Sequence, residues 1–74
     1  MNNYPTHIIE LKDGRQLNVY NGVIGHLIWN APVHVDELAV DRSMSARCPL
    51  QTSDGTEFTL GDINRIRTPL AEAA

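Results

Sequence analysis

The sequence contains one cysteine, few aromatic residues and no long hydrophobic run. Its 74 residues include one Trp, two Tyr, one Phe and the single Cys48. No internal disulfide can form and no second cysteine is present to share a metal ion, which favours a reducing compartment. The longest apolar stretch is interrupted by Gly25 and His26 and is too short to span a membrane. Residues 1–5 lack the basic and apolar regions of a signal peptide, so we expect a cytoplasmic protein with no membrane contact.

Positive charge is also scarce. The chain carries six Lys and Arg against nine Asp and Glu, which gives a formal net charge of −3. Such a chain is poorly suited to bind nucleic acid through bulk electrostatics. Asp36, Glu37 and Asp41 form an acidic middle, whereas Arg65 and Arg67 form a basic edge with no acid after them until Glu72. A mildly acidic protein with one basic edge suits a protein partner at least as well as RNA.

Length and hydropathy predict one small domain. The hydrophobic fraction of 42% suffices for a single compact core. A chain of this size buries only about 60% of the surface that its unfolded form exposes. We assign residues 1–74 to one domain, residues 1–6 to a flexible amino-terminal arm and residues 70–74 to a carboxy-terminal tail.

Two Asp-Gly pairs, each between runs of alternating apolar and polar residues, are strong hairpin signals. In the first hairpin, a two-residue loop would place Lys12 opposite Arg15 and mix both faces of the strands. A three-residue loop places Ile9 opposite Leu17 and collects the apolar side chains on one face. We therefore predict a three-residue loop with Gly14 in the left-handed conformation, where a residue with a Cβ would be strained.

The second hairpin follows the same logic. A three-residue loop places Leu50 opposite Phe58 and Thr52 opposite Thr56, with Gly55 in the left-handed conformation. The predicted core then contains Ile9, Leu11, Leu17, Val19, Leu50, Phe58 and Leu60, with Cys48 turned inward.

The middle of the chain is less regular. Apolar residues spaced i, i+1, i+4 and i+5 predict a short helix from Gly22 to Trp29, capped by Asn21, and a β-strand through Val23 to Trp29 is the alternative. Residues 33–35 suggest a short strand, and residues 36–40 either continue it or form one helical turn. Pro49 predicts that the strand over residues 46–52 is an edge strand or carries a bulge.

A last short strand is predicted over residues 64–68, anchored by Ile63 and Ile66. The expected fold is therefore mainly β, a small α+β protein. It is an antiparallel sheet or partly open barrel built on two Asp-Gly hairpins, with one short helix.

Catalytic and metal-binding patterns are weak. The three histidines show no H-x-x-x-H or H-E-x-x-H spacing, and His34 with Asp36 supplies only two of the usual four metal ligands. Cys48 is predicted to be a buried, unreactive thiol. Neither Asp-Gly turn leads into a helix and a lysine, so no phosphate-binding loop is present. We expect neither an enzyme nor a bound cofactor or metal ion.

Five residues are candidate partner contacts. Pro5 holds Tyr4 extended, so the arm is either a frayed terminus or a binding segment anchored by Tyr4. Trp29 either caps the core at the end of the predicted helix, which is favoured because large aromatics dominate small cores, or anchors an interface. Arg65 and Arg67 share one face of the last strand, as a solvated face or as a clamp for carboxylate or phosphate groups. The arm and the predicted edge strand with Pro49 would be the most accessible surfaces.

Two stretches resemble small Sm-like and SH3-like barrels. Residues 9–17 have the form hydrophobic-x-x-x-D-G-x-x-hydrophobic, and residues 60–66 have the form L-x-x-I-x-x-I. Rof-type inhibitors of the Rho transcription terminator are one such family. The resemblance covers about a third of the chain, and residues 21–45 depart from the expected central strands.

Size, acidity and the polar arm are also similar to short RNA-polymerase-binding regulators of bacteriophages, such as the Xanthomonas phage type. That resemblance implies a regulator that binds a subunit of host RNA polymerase, acts in the host cytoplasm and inhibits initiation, antiterminates transcription, or both. It would be a monomer when free and would act without catalysis. Alternatives are an inhibitor of Rho, an anti-CRISPR or other anti-defence protein, and a small binder of single-stranded RNA.

Overall fold

A computed structural model describes residues 4–38 and 45–69 of the chain. These residues form seven β-strands, one short α-helix and one 3₁₀ turn, so the fold class is mainly β, as predicted. The elements in chain order are β1 (His7–Leu11), β2 (Gln16–Val19), β3 (Val23–His26), β4 (Ala31–His34), α1 (Val35–Leu38), β5 (Pro49–Gln51), β6 (Glu57–Thr59), the 3₁₀ turn (Leu60–Asp62) and β7 (Ile63–Arg67).

The strands form two antiparallel sheets. Sheet A has the order β2-β1-β7, and sheet B has the order β4-β3-β5-β6. Among the described residues, these sheets are not hydrogen-bonded into one closed barrel. Both sheets and α1 contribute to a single hydrophobic core. Its members are Ile9, Leu11, Leu17 and Val19 from sheet A, Ile24, Val33, Leu50 and Phe58 from sheet B, Val35 and Leu38 from α1, and Cys48.

The predicted registers of both Asp-Gly hairpins are confirmed. Ile9 pairs with Leu17 in the first hairpin, and Leu50 pairs with Phe58 in the second. Gly14 and Gly55 have φ angles of 96° and 93°, in the left-handed region that favours glycine. The predicted core residues of the two hairpins are buried, except that Leu60 is only partly buried.

The predicted helix over Gly22–Trp29 is wrong, and the alternative strand is correct for Val23–His26. Asn21, the expected helix cap, has a φ angle of 61° and forms a tight turn with Gly22 that leads into β3. The helical spacing was misleading because it counted Leu27 and Ile28 as core residues, and both are exposed. Residues 21–45, which depart from the motif of small barrels, nevertheless contain the two strands β3 and β4.

Pro49 was predicted to mark an edge strand or a bulge, but β5 is a central strand and its described pairing shows no register shift. Strand β5 lies between β3 and β6 and spans only Pro49–Gln51, shorter than the predicted 46–52. A proline is compatible with this place because it is the first residue of the strand, where no ladder hydrogen bond from its nitrogen is needed. Its carbonyl accepts a hydrogen bond from the Leu27 N–H at 3.1 Å. Among the described strands, β2 and β7 are the edges of sheet A, and β4 and β6 are those of sheet B.

The remaining elements close the fold. The helical turn allowed after residue 35 is α1, which buries Val35 and Leu38. Strand β7 occupies nearly the predicted residues and pairs with β1. Of the predicted arm and tail, residues 1–3 and 70–74 lie outside the described residues, whereas the Thr6 N–H donates to the Val19 carbonyl at 2.8 Å. None of the helices in the described ranges is long and apolar enough to cross a membrane.

Candidate protein-binding surface

Three consecutive large apolar side chains protrude from the loop that joins β3 to β4. Leu27, Ile28 and Trp29 are 38%, 73% and 64% exposed, whereas the buried core residues are at most 8% exposed. We call residues 27–30 the tryptophan loop. Its closing strand pair is His26 opposite Ala31, and Asn30, with a φ angle of 51°, turns the chain back into β4. The loop length is one that antiparallel hairpins commonly use.

Trp29 is held against the protein by two contacts with one residue. Its indole stacks on the His26 imidazole with ring centroids 3.9 Å apart and planes inclined by 4°. Its backbone N–H donates to His26 Nδ1 at 3.0 Å. One face of the indole is therefore covered by imidazole, and the exposed part of the side chain is presented in a fixed orientation. Such an anchor binds a partner with little loss of side-chain freedom.

His26 is in turn held by Cys48. The distance from His26 Nε2 to Cys48 Sγ is 3.0 Å, and the two residues are 3% and 8% exposed. Because the Trp29 N–H can only donate, Nδ1 must present its lone pair, and a neutral imidazole then carries its proton on Nε2. The Nε2–H therefore donates to the sulfur.

This Cys–His pair is not arranged for nucleophilic catalysis. A histidine that activates a thiol must accept its proton at the nitrogen facing the sulfur, and that nitrogen of His26 already carries a hydrogen. Burial also raises the pKa of the Cys48 thiol, which disfavours the reactive thiolate. The pair instead holds in place the imidazole on which Trp29 stacks. The prediction that Cys48 points inward is confirmed.

A groove of about 400 Å³ runs beside the tryptophan loop. It is lined by Leu27 and Asn30 of the tryptophan loop, by Gly25 of β3, and by Thr52 and Ser53 of the β5–β6 hairpin. None of the described residues that line it is Asp, Glu, Lys or Arg. A neutral groove next to an apolar loop suits an uncharged segment of a partner better than a phosphate group.

A second cluster has the residue types of a hydrolytic triad. His7 lies 3.0 Å from Thr6 Oγ1 through Nδ1 and 3.1 Å from Asp36 Oδ1 through Nε2. However, Thr6 Oγ1 also accepts the Gly22 N–H at 2.8 Å and lies 3.2 Å from the Val19 carbonyl oxygen. With these neighbours the hydroxyl oxygen has no free direction from which to attack a substrate. The cluster therefore ties the start of β1 to the β2–β3 turn and to α1.

The basic edge differs from its prediction. No acid close in sequence neutralises Arg65, but the β1–β7 register places Glu10 opposite it, with Nε and Oε1 3.2 Å apart. Arg67, also on β7, lies opposite Ile8 of β1 and is partly buried. The two arginines therefore differ, because Arg65 is paired with Glu10 and Arg67 is partly buried, and their role as a partner contact stays a prediction.

The predicted contact residues belong to two regions. Tyr4, which is 71% exposed, and the partly buried Pro5 lead into β1 of sheet A, to which the strand of Arg65 and Arg67 also belongs. Trp29 projects from the other sheet. The expectation that Trp29 caps the core is wrong, and its alternative role as an exposed anchor fits the geometry.

Sequence reasoning missed the support beneath Trp29. The spacing of His26 and Trp29 was visible, but a stacked pair in a hairpin loop depends on where β3 ends. The contact between His26 and Cys48 depends on the β3–β5 pairing, which no local pattern showed.

His34 and Asp36 lie in β4 and α1, and no described group of three or more His, Cys, Asp or Glu could hold a metal ion. Comparisons with protein-family models, characterised proteins and solved structures found no significant match to this chain.

Proposed function

We propose that this protein is a binding module that acts by direct contact with another protein, through a surface centred on Trp29. The observation that carries the proposal is an indole that is 64% exposed while it is stacked on a buried histidine. Tryptophan is among the residue types most enriched at binding hot spots. Ile28, which is 73% exposed, extends the apolar surface beside it. Contiguous exposed apolar side chains on a small protein commonly mark an interaction site.

A protein partner fits this surface better than a nucleic acid. An exposed indole could stack on an unpaired base, as in proteins that bind single strands. Such proteins also surround the aromatic residue with positive charge, whereas this chain has a net charge of −3 and the neighbouring groove is neutral. Leu27 and Ile28 add aliphatic surface that favours a protein interface over a phosphate backbone.

The partner that we propose is a subunit of bacterial RNA polymerase, and the consequence is altered transcription initiation or termination. The support is the resemblance in size, acidity and polar arm to phage-type regulators. The two barrel-like motifs keep Rho as the second candidate partner. The arm with Tyr4 and the strand with Arg65 and Arg67 would form a separate contact on sheet A.

Direct binding of the purified partners tests this proposal. Immobilised wild-type protein should bind RNA polymerase or Rho at micromolar concentration, and Trp29→Ala should weaken that affinity roughly tenfold or more, as expected for a hot spot. Ile28→Ala should weaken it less. Lys12→Ala is the matched control, because it removes an exposed side chain from the β1–β2 turn and should leave binding unchanged.

The outcomes separate the parts of the proposal. If neither RNA polymerase nor Rho binds, the transcription proposal is wrong. If one binds with equal affinity to wild type and to Trp29→Ala, the surface is wrong. Tight binding of a single-stranded oligonucleotide that weakens steeply with salt would support the RNA-binding alternative instead. The double variant Arg65→Ala/Arg67→Ala should fold normally and weaken binding only if sheet A is also in contact.

A further inference from the structure

The contacts around His26 imply that pH regulates the position of Trp29 on the same surface. We propose that His26 is a positioning residue for Trp29, and that protonation of His26 Nδ1 releases the tryptophan loop from its binding conformation. The loss of partner binding on acidification rests on the proposed function. The release of the loop does not, because it is a property of the free protein.

The argument begins at Nδ1. The Trp29 N–H donates to the lone pair of this nitrogen at 3.0 Å. A backbone N–H has no acceptor capacity, so a proton added to Nδ1 would point at another hydrogen. The hydrogen bond is lost, and one of the two groups must move away from the other.

The structure decides which group moves. His26 is 3% exposed, belongs to a strand paired on both sides, and has its Nε2 on the Cys48 sulfur. Trp29 lies in an exposed loop and its side chain is 64% exposed. The loop is the part with room to rearrange, so protonation displaces Trp29 while the strands stay in place.

The strands on both sides of His26 place no charged residue directly opposite it. The residues opposite it are Ala31 on β4 and Leu50 on β5, both uncharged. Cys48 is the one titratable group within hydrogen-bond distance of the ring among the described residues. The attraction between an imidazolium and the indole face opposes the change, but it acts between the ring faces. It does not relieve the clash between the protonated Nδ1 and the Trp29 N–H, which lies in the imidazole plane. The backbone of Trp29 therefore still loses its fixed position.

Two variants separate this role from general support of the fold. His26→Asn places an amide oxygen near the position of Nδ1, so it can accept the Trp29 N–H, and it cannot titrate. His26→Leu fills similar space without an acceptor. We expect the Trp29 N–H to keep an acceptor at every pH in His26→Asn, although the ring stacking is lost, and to lack one at every pH in His26→Leu. A residue that only fills space would give the opposite ranking of the two variants.

Nuclear magnetic resonance of the free protein is the primary experiment. At neutral pH the ring ¹⁵N shifts of His26 should show a proton on Nε2 and a lone pair on Nδ1. On acidification, the Trp29 amide resonance should move with the same midpoint as the His26 ring. Fluorescence should follow the same transition, because Trp29 is the single tryptophan. His34→Gln, which removes an exposed histidine, should leave that transition unchanged.

Three results would overturn the proposal. They are a proton on Nδ1 at neutral pH, a Trp29 amide that does not respond when His26 protonates, and an acid transition of Trp29 that persists in His26→Asn. If acid simply unfolds the whole protein, the transition will also appear in His26→Asn, so this variant distinguishes unfolding from release of the loop. The affinity for RNA polymerase should fall roughly tenfold through the His26 midpoint in wild type but not in His26→Asn. Absence of binding at every pH would refute the proposed function and leave the free-protein result to judge His26.

Discussion

The isoleucines at positions 9 and 28 give a matched test of which side chains contribute to the free energy of unfolding. Ile9 is 0% exposed in the central strand of sheet A, whereas Ile28 is 73% exposed in the tryptophan loop. Truncation of Ile9 to alanine removes three buried carbon atoms, about 2.4 kcal/mol in transfer free energy. The cavity left beneath a strand that is paired on both sides raises the expected loss to about 3–5 kcal/mol.

The size of the protein makes this loss large. A domain of 74 residues has a free energy of unfolding of about 4–11 kcal/mol, so Ile9→Ala should remove about a quarter of it or more. Ile28→Ala should change the same quantity by less than about 0.5 kcal/mol. Urea denaturation followed by far-ultraviolet circular dichroism measures both. Equal losses in the two variants would refute the placement of the core and of the loop.

Three further predictions concern the turns and the thiol. Gly14→Ala should cost about 1–2 kcal/mol because φ is 96° there, whereas Gly25→Ala, whose added Cβ would make an ordinary 3.5 Å contact, should cost less in the same urea assay. Burial raises the pKa of Cys48, so a thiol reagent at pH 8 should react roughly tenfold or more faster after unfolding in urea. Hydrogen bonds from two threonines lower the pKa of Asp54 below 3.8. That carboxylate therefore stabilises the fold above pH 3.8 and loses this effect as pH falls through the lowered pKa, so Asp54→Asn should lose less Tm between pH 7 and pH 3 than wild type.

The hairpins could be predicted because their determinants are local. Each Asp-Gly pair fixes a turn, and the alternation on either side selects one register, since a slip by one residue exposes the apolar face. The pairs Ile9–Leu17 and Leu50–Phe58 followed from that reasoning. The same argument placed Cys48 in the core because it lies two residues before Leu50.

The first choice for the middle of the chain was a helix, and the correct strand was only the alternative, because the apolar residues there serve two purposes. Ile24 packs in the core, but Leu27 and Ile28 project into solvent, so their combined spacing imitates a helix. Pro49 was misread because its place as the first residue of a central strand depends on strand pairing. Long-range pairing also brings Glu10 to Arg65 and Cys48 to His26. Trp29 was nominated from its residue type alone, and its fixed orientation became visible only in three dimensions.

The central claim is that the partner binds the tryptophan loop, and chemical-shift mapping tests it most directly. ¹⁵N-labelled protein should be titrated with purified RNA polymerase, and with Rho if the polymerase does not bind. The account predicts that the largest shifts or losses of signal fall on residues 27–30 and on the Trp29 indole N–H, with the β1–β2 turn unaffected. Changes confined to sheet A, with the indole signal of Trp29 unmoved, would contradict it.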